Sequence, residues 1–62
     1  ESKFAWYIYQ DGVSDPMVKI PYSHESKAFY KFETAGRYYF KAFVIQAGNK
    51  QSANSEVFTV TL

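Results

Sequence analysis

The chain contains no cysteine, so no disulfide staples it and no thiolate set can hold zinc. That absence fits a reducing or an oxidising compartment equally well. Glycine and proline are sparse, at three and two residues. This leaves no phosphate-cradling loop and no Pro/Gly-rich linker. No apolar run approaches the roughly 20 residues of a membrane-crossing helix, so membrane insertion is not expected. Neither sign of charge prevails: seven basic and six acidic residues are interspersed, for a net charge of +1. A nucleic-acid binder usually carries a basic stripe. None is visible along the sequence, and nucleic acid is not expected as a partner. No apolar set recurs at helical spacing, and there is no internal repeat.

Aromatic residues are what the chain has in quantity. One Trp, six Tyr and six Phe make up 21% of its 62 residues. A domain this short buries only roughly 60% of the surface its unfolded chain exposes. Fully burying a large apolar side chain contributes about 1.5–3 kcal/mol, so half a dozen buried rings would help it stand without staples. Even so, it is expected to lean on neighbours. Residues 1–62 read as a single domain. The start at Glu-Ser-Lys, without initiator methionine or signal peptide, and the strand-like end read as a module excised from a larger protein.

Alternation at period two predicts five strands and an all-β fold. Lys3 to Gln10 places Phe4, Trp6 and Ile8 on one face and Ala5, Tyr7 and Tyr9 on the other. Asp11-Gly12 is a turn signal. Met17 to Tyr22 is a short strand whose Pro21 assigns it to a sheet edge. Ala28 to Phe32 reads as a third strand and Arg37 to Gln46 as a fourth. Ala47 to Ser55 reads as a polar loop, and Glu56 to Leu62 as a fifth strand. On the fourth strand Tyr38, Phe40, Ala42 and Val44 share one face, and Tyr39, Lys41, Phe43 and Ile45 the other.

Several of these features resemble an immunoglobulin-like sandwich: Trp6 in an early strand, Ala35-Gly36-Arg37-Tyr38 as a turn leading into a strand, and Gly48-Asn49 near the end. Phe40 stands where such a domain carries a cysteine. The chain resembles more closely the bacterial three-Y (triple-tyrosine) domain, in Trp6-Tyr7-Ile8-Tyr9 before Asp11-Gly12, in Tyr22-Ser23, and in Gly36-Arg37-Tyr38. This resemblance implies a small immunoglobulin-like β-sandwich of five or six antiparallel strands. It also implies a non-catalytic accessory module of a larger bacterial protein, periplasmic or extracellular, with no cofactor.

By the same analogy Tyr38 is a tyrosine-corner residue, its ring inward and its hydroxyl bonded to backbone near Phe32 or Glu33. Gly36, Phe32 and Trp6 join it as structural positions, with Trp6 in the core. If adjacent strands carry them, Tyr7, Tyr9, Tyr39 and Phe43 form one aromatic patch on the outer sheet face. Monomers rarely expose a large apolar patch without a reason. It could dock a neighbouring domain or a second copy, bind polysaccharide through tyrosine rings, or serve only as cross-strand pairing. Ser23-His24-Glu25 holds a hydroxyl, an imidazole and a carboxylate, but adjacent residues do not generally converge on one reacting atom. A surface turn is expected there. A lone histidine is a poor metal site, and Asp11 and Asp15 read as turn residues. No catalytic or metal residue is assigned.

Overall fold

The computed structural model describes all 62 residues and contains five strands and no helix: β1 (Ser2–Gln10), β2 (Val18–Ser23), β3 (Gly36–Gln46), β4 (Asn49–Asn54) and β5 (Phe58–Val60). They form one antiparallel sheet in the order β2-β1-β3-β4, with β5 also paired to β3. β1 and β3 are the longest strands and pair without interruption from Ser2↔Gln46 to Gln10↔Tyr38. β4 and β5 lie end to end along the far side of β3, opposite residues 41–46 and 36–38. Only one sheet is present, where the sequence resemblance implies two.

The turns follow from local chemistry. Between β1 and β2 the Val13 N–H donates to the Gln10 carbonyl at 3.0 Å, with Gly12 at φ 86°. Between β3 and β4 the two central residues, Ala47 (φ 51°) and Gly48 (φ 81°), both adopt the left-handed region. That is the type I′ geometry whose twist matches a two-residue hairpin. Pro21 does lie in an edge strand, where its missing N–H breaks no ladder. The β1–β2 register shifts between Phe4 and Trp6, a bulge that coincides with the Pro21-Tyr22 step.

Three strand assignments change. Ala28–Phe32 is not a strand. β2 and the β4/β5 pair occupy the two edges of the sheet, and no backbone–backbone hydrogen bond involves residues 24–35. That segment lies over one face as a strap. Of its alternating Ala28, Tyr30 and Phe32, Phe32 packs on Tyr38 and Phe58 of the sheet and Tyr30 packs on Phe32. The polar stretch after Gly48 is not a loop but β4, every residue of which is exposed. It pairs because the tight turn delivers it to β3, and a solvated edge strand needs no apolar alternation. The last strand shrinks to Phe58–Val60.

Where β4 hands over to β5, Ser55 splices the ladder. Its N–H donates to the Phe40 carbonyl (2.8 Å), and its Oγ accepts the Phe40 N–H (2.9 Å) and donates to the Glu56 carbonyl (2.9 Å). A single serine thus satisfies backbone groups that would otherwise be orphaned at the break.

The core is small. Only Ala5, Ile8 and Tyr38 are buried, so one ring is fully enclosed, fewer than the half a dozen that would help the chain stand alone. A single sheet with a twelve-residue strap supplies too little cover for thirteen rings.

Candidate functional site

The two faces of the sheet differ in chemistry. The even-numbered face of β1 and β3 carries Phe4, Trp6, Ile8, Phe40, Ala42 and Val44, as the register of β1 against β3 requires. The strap covers one half of it. Phe32 anchors the strap, with its ring 4.6 Å from Tyr38 and 5.9 Å from Phe58. The Tyr38 hydroxyl donates to the Thr34 carbonyl at 2.6 Å. The corner-like bond therefore exists, with its acceptor at Thr34 rather than Phe32 or Glu33. The Tyr38 ring is buried, and Gly36 opens β3 beside it.

Between strap and sheet runs a groove of about 280 Å³, lined by Trp6, Ile20, Phe29, Phe32, Phe40 and Phe58 among others. Nine of its ten lining residues are hydrophobic; Ser26 is the exception. Beyond the strap a second hollow of about 170 Å³ continues along the same face between Phe4, Trp6, Ala42, Val44 and Ala53. Trp6 lies between the two, half-buried and stacked on Phe4 at 6.2 Å. It is the floor of an open surface rather than the centre of a core. Phe29 projects at the groove with 89% of its surface exposed, and Phe40 is 38% exposed. Sequence reading passed over Phe29, because only the failure of residues 28–32 to enter the sheet leaves it bare.

The odd-numbered face holds Tyr7, Tyr9, Tyr39 and Phe43. They meet as two cross-strand pairs. Tyr7 and Phe43 contact edge to face at 4.8 Å, and Tyr9 and Tyr39 stack at 4.9 Å with planes only 2° apart. All four are half-buried. Tyr9 and Tyr39 each have one ring face against the other, and lysines sit over the rings of the other pair. Lys19 Nζ sits 5.4 Å from the Tyr7 ring centre, and Lys41 and Lys50 Nζ sit 5.5 and 5.9 Å from that of Phe43. These distances are within cation–π range. Sequence reading missed the lysines as a set. Lys41 was placed on this face, but the pairing that brings Lys19 and Lys50 beside it is not written in local alternation.

Ser23 ends β2 and the chain bends at His24. The Glu25 N–H donates to Ser23 Oγ at 3.3 Å, while His24 Nδ1 lies 3.2 Å from the Ser2 carbonyl and 3.4 Å from Glu1. The Ser23 and His24 side chains are engaged in local or terminal contacts, and no hydrogen bond or ion pair joins the Ser23, His24 and Glu25 side chains to one another. Asp11 lies 3.8 Å from Arg37, and no group of three or more His, Asp or Glu residues is placed to hold a metal.

Comparison with known proteins finds no matching family model, no matching curated protein and no matching solved structure.

Proposed function

We propose that the chain is a non-catalytic interaction module, an immunoglobulin-like accessory domain of the three-Y kind in a larger bacterial protein. It docks a partner protein whose large apolar side chains fill the open face of its sheet. The observation that carries this reading is the uncovered apolar face: two adjoining hollows floored by Trp6, with Phe29 standing nearly free beside them. In a complete sandwich a second layer would cover that floor. Here the strap covers half, and a docked partner supplies the rest. A groove of about 280 Å³ falls just below the ~300–1,000 Å³ of small-molecule pockets. Its open, apolar lining suits an anchoring side chain of the kind that dominates protein interfaces. Polysaccharide is the alternative. It is less well served, because one serine among ten lining residues offers sugar hydroxyls little to bond. On the other face the tyrosine rings that would stack on sugar are already engaged.

The test is an NMR and fluorescence titration with N-acetyl-phenylalanine amide and N-acetyl-leucine amide at millimolar concentration. Docking predicts a blue shift of Trp6 emission and chemical-shift changes at Ile20, Phe40 and Phe58, both weakened in Phe29→Ser. Unchanged Trp6 emission with no shifts on this face would refute it. Sedimentation equilibrium identifies a second copy as the occupant if the chain dimerises and Phe29→Ser abolishes the dimer. Stronger responses to oligosaccharides than to the amides would transfer the reading to carbohydrate.

A further inference from the structure

The charged residues are sorted by the fold in a way that the sequence conceals. All six carboxylate side chains, Glu1, Asp11, Asp15, Glu25, Glu33 and Glu56, lie outside the strands. Five of the seven basic residues, Lys3, Lys19, Arg37, Lys41 and Lys50, lie within them. The register puts all five on the same face. Lys3 pairs with Ile45, Lys19 with Tyr7, Tyr7 with Lys41, and Ile45 with Lys50. Arg37 is the one with a carboxylate nearby, Asp11 at 3.8 Å; the four lysines form no ion pair. A net charge of +1 therefore conceals one sheet face with five cations and no strand carboxylate.

Strand spacing fixes the layout. Lys19 and Lys41 are two strands apart, as are Lys3 and Lys50, which is about 10 Å in each case. Four residues along β3 separate the first pair from the second, about 13 Å. The backbone positions of the lysines therefore frame the row of Ala5, Phe43 and Ser52, of which Phe43 and Ser52 are accessible and Ala5 is buried. A strand presents alternate side chains to one face roughly every 6.7 Å. Carboxylates at positions i and i+4 of an extended peptide would span the frame, and the Lys41 and Lys50 ammonium groups reach in over Phe43 between them.

From this charge complementarity we propose that the odd-numbered face is a second docking surface, distinct from the apolar groove, that captures an extended acidic segment of a partner protein. Ring geometry selects an acidic polypeptide over other anions. Nucleobases and sugars need free aromatic faces to stack on, and here Tyr9 and Tyr39 each turn one face to the other while lysines sit over Tyr7 and Phe43. Carboxylates need only the ammonium groups, and the rings beneath hold those groups over the sheet.

The test uses the full chain and an acetylated, amidated octapeptide alternating Glu and Ser, with a Gln/Ser octapeptide as control. The expected result is a set of chemical-shift changes at Lys19, Lys41, Phe43 and Lys50, with Trp6 emission unchanged. Binding should weaken about tenfold between 20 and 300 mM salt. It should weaken about tenfold in the triple variant K19Q/K41Q/K50Q and persist in K19R/K41R/K50R. Amide-shift dispersion equal to wild type shows that each variant keeps the sheet. Absence of shifts on this face at millimolar peptide, or equal binding of the Gln peptide, would overturn the proposal. So would tighter binding there of oligothymidylate or polygalacturonate, which would make the face a nucleic-acid or acidic-polysaccharide site. Because the readouts lie on opposite faces, this proposal and the apolar docking can fail separately.

Discussion

Replacing Tyr38 by Phe removes one oxygen and tests how the strap is held. The Tyr38 ring is 2% exposed, and Phe keeps its volume, so no cavity term enters. What is lost is the bond from the hydroxyl to the Thr34 carbonyl at 2.6 Å. A net intramolecular hydrogen bond contributes about 0.5–1.5 kcal/mol. Thr34 is exposed, so water can take over its carbonyl, and the expected cost is about 1 kcal/mol rather than the full desolvation penalty. For a domain of this size 1 kcal/mol lowers Tm by roughly 4–8 °C. Tyr38→Ala, which also removes the ring against Phe32 and Phe58, should cost about 3–5 kcal/mol.

The same substitution has a second readout. Residues 24–35 make no backbone–backbone hydrogen bond, so the strap is held by side chains, chiefly Phe32 on Tyr38 and the Tyr38–Thr34 bond. Loosening it should uncover Trp6, giving red-shifted emission and faster acrylamide quenching while the chain remains folded. Urea melts with unchanged slope, read beside quenching in buffer, separate the two effects. If Tyr38→Phe melts within 1 °C of wild type and its tryptophan is quenched no faster, the hydroxyl does not tether the strap and the reasoning fails.

Other substitutions probe other links. Tyr22→Phe should stabilise by about 1 kcal/mol, because the Tyr22 hydroxyl is buried without a hydrogen-bond partner; a loss in urea melts would show that the oxygen has one. Ser55→Ala should cost about 1 kcal/mol, because it removes the bond from the Phe40 N–H at an exposed position where water can replace it, and fast amide exchange at Phe40 would accompany it. Ala47→Asn should raise stability by about 0.5–1 kcal/mol, since Ala47 sits at φ 51° in a hairpin turn where asparagine is favoured; a fall in Tm would mean a different turn geometry.

The sequence made visible whatever depends on local period or a short turn. Alternation in Lys3–Gln10 and Arg37–Gln46 located the two central strands and assigned their side chains to faces. Pro21 marked the edge strand for the physical reason that it has no N–H to give. What stayed hidden depends on where the turns deliver each piece. β4 carries no apolar alternation, and only the type I′ turn at Ala47-Gly48 makes it a strand. Residues 28–32 alternate as a strand does, yet they make no backbone–backbone hydrogen bond and cross a face instead. With them went the expectation of Trp6 in the core, since Trp6 becomes a floor and Phe29 is left bare. The lysine frame was hidden for the same reason: Lys19 and Lys50 reach the Tyr7–Phe43 pair only through pairing across three strand junctions.

A thin core and an open apolar face are two aspects of one arrangement. Any partner that binds the folded chain and not the unfolded one adds stability of RT ln(1 + [L]/Kd), about 2.7 kcal/mol when the partner is present at one hundred times its Kd. For a chain with three buried residues, that increment is large against its own stability. Groove occupants act on the strap as well, since Phe29 and Phe32 line the groove together with Trp6 and Phe40. Filling the groove should therefore raise Tm and oppose the loosening caused by Tyr38→Phe. A ligand of the lysine face should raise Tm without protecting Trp6 from quenching, because its contacts lie across the sheet from the strap. This difference in linkage, measured on one variant with two ligands, separates an interaction module with two working faces from a sheet that is merely under-packed.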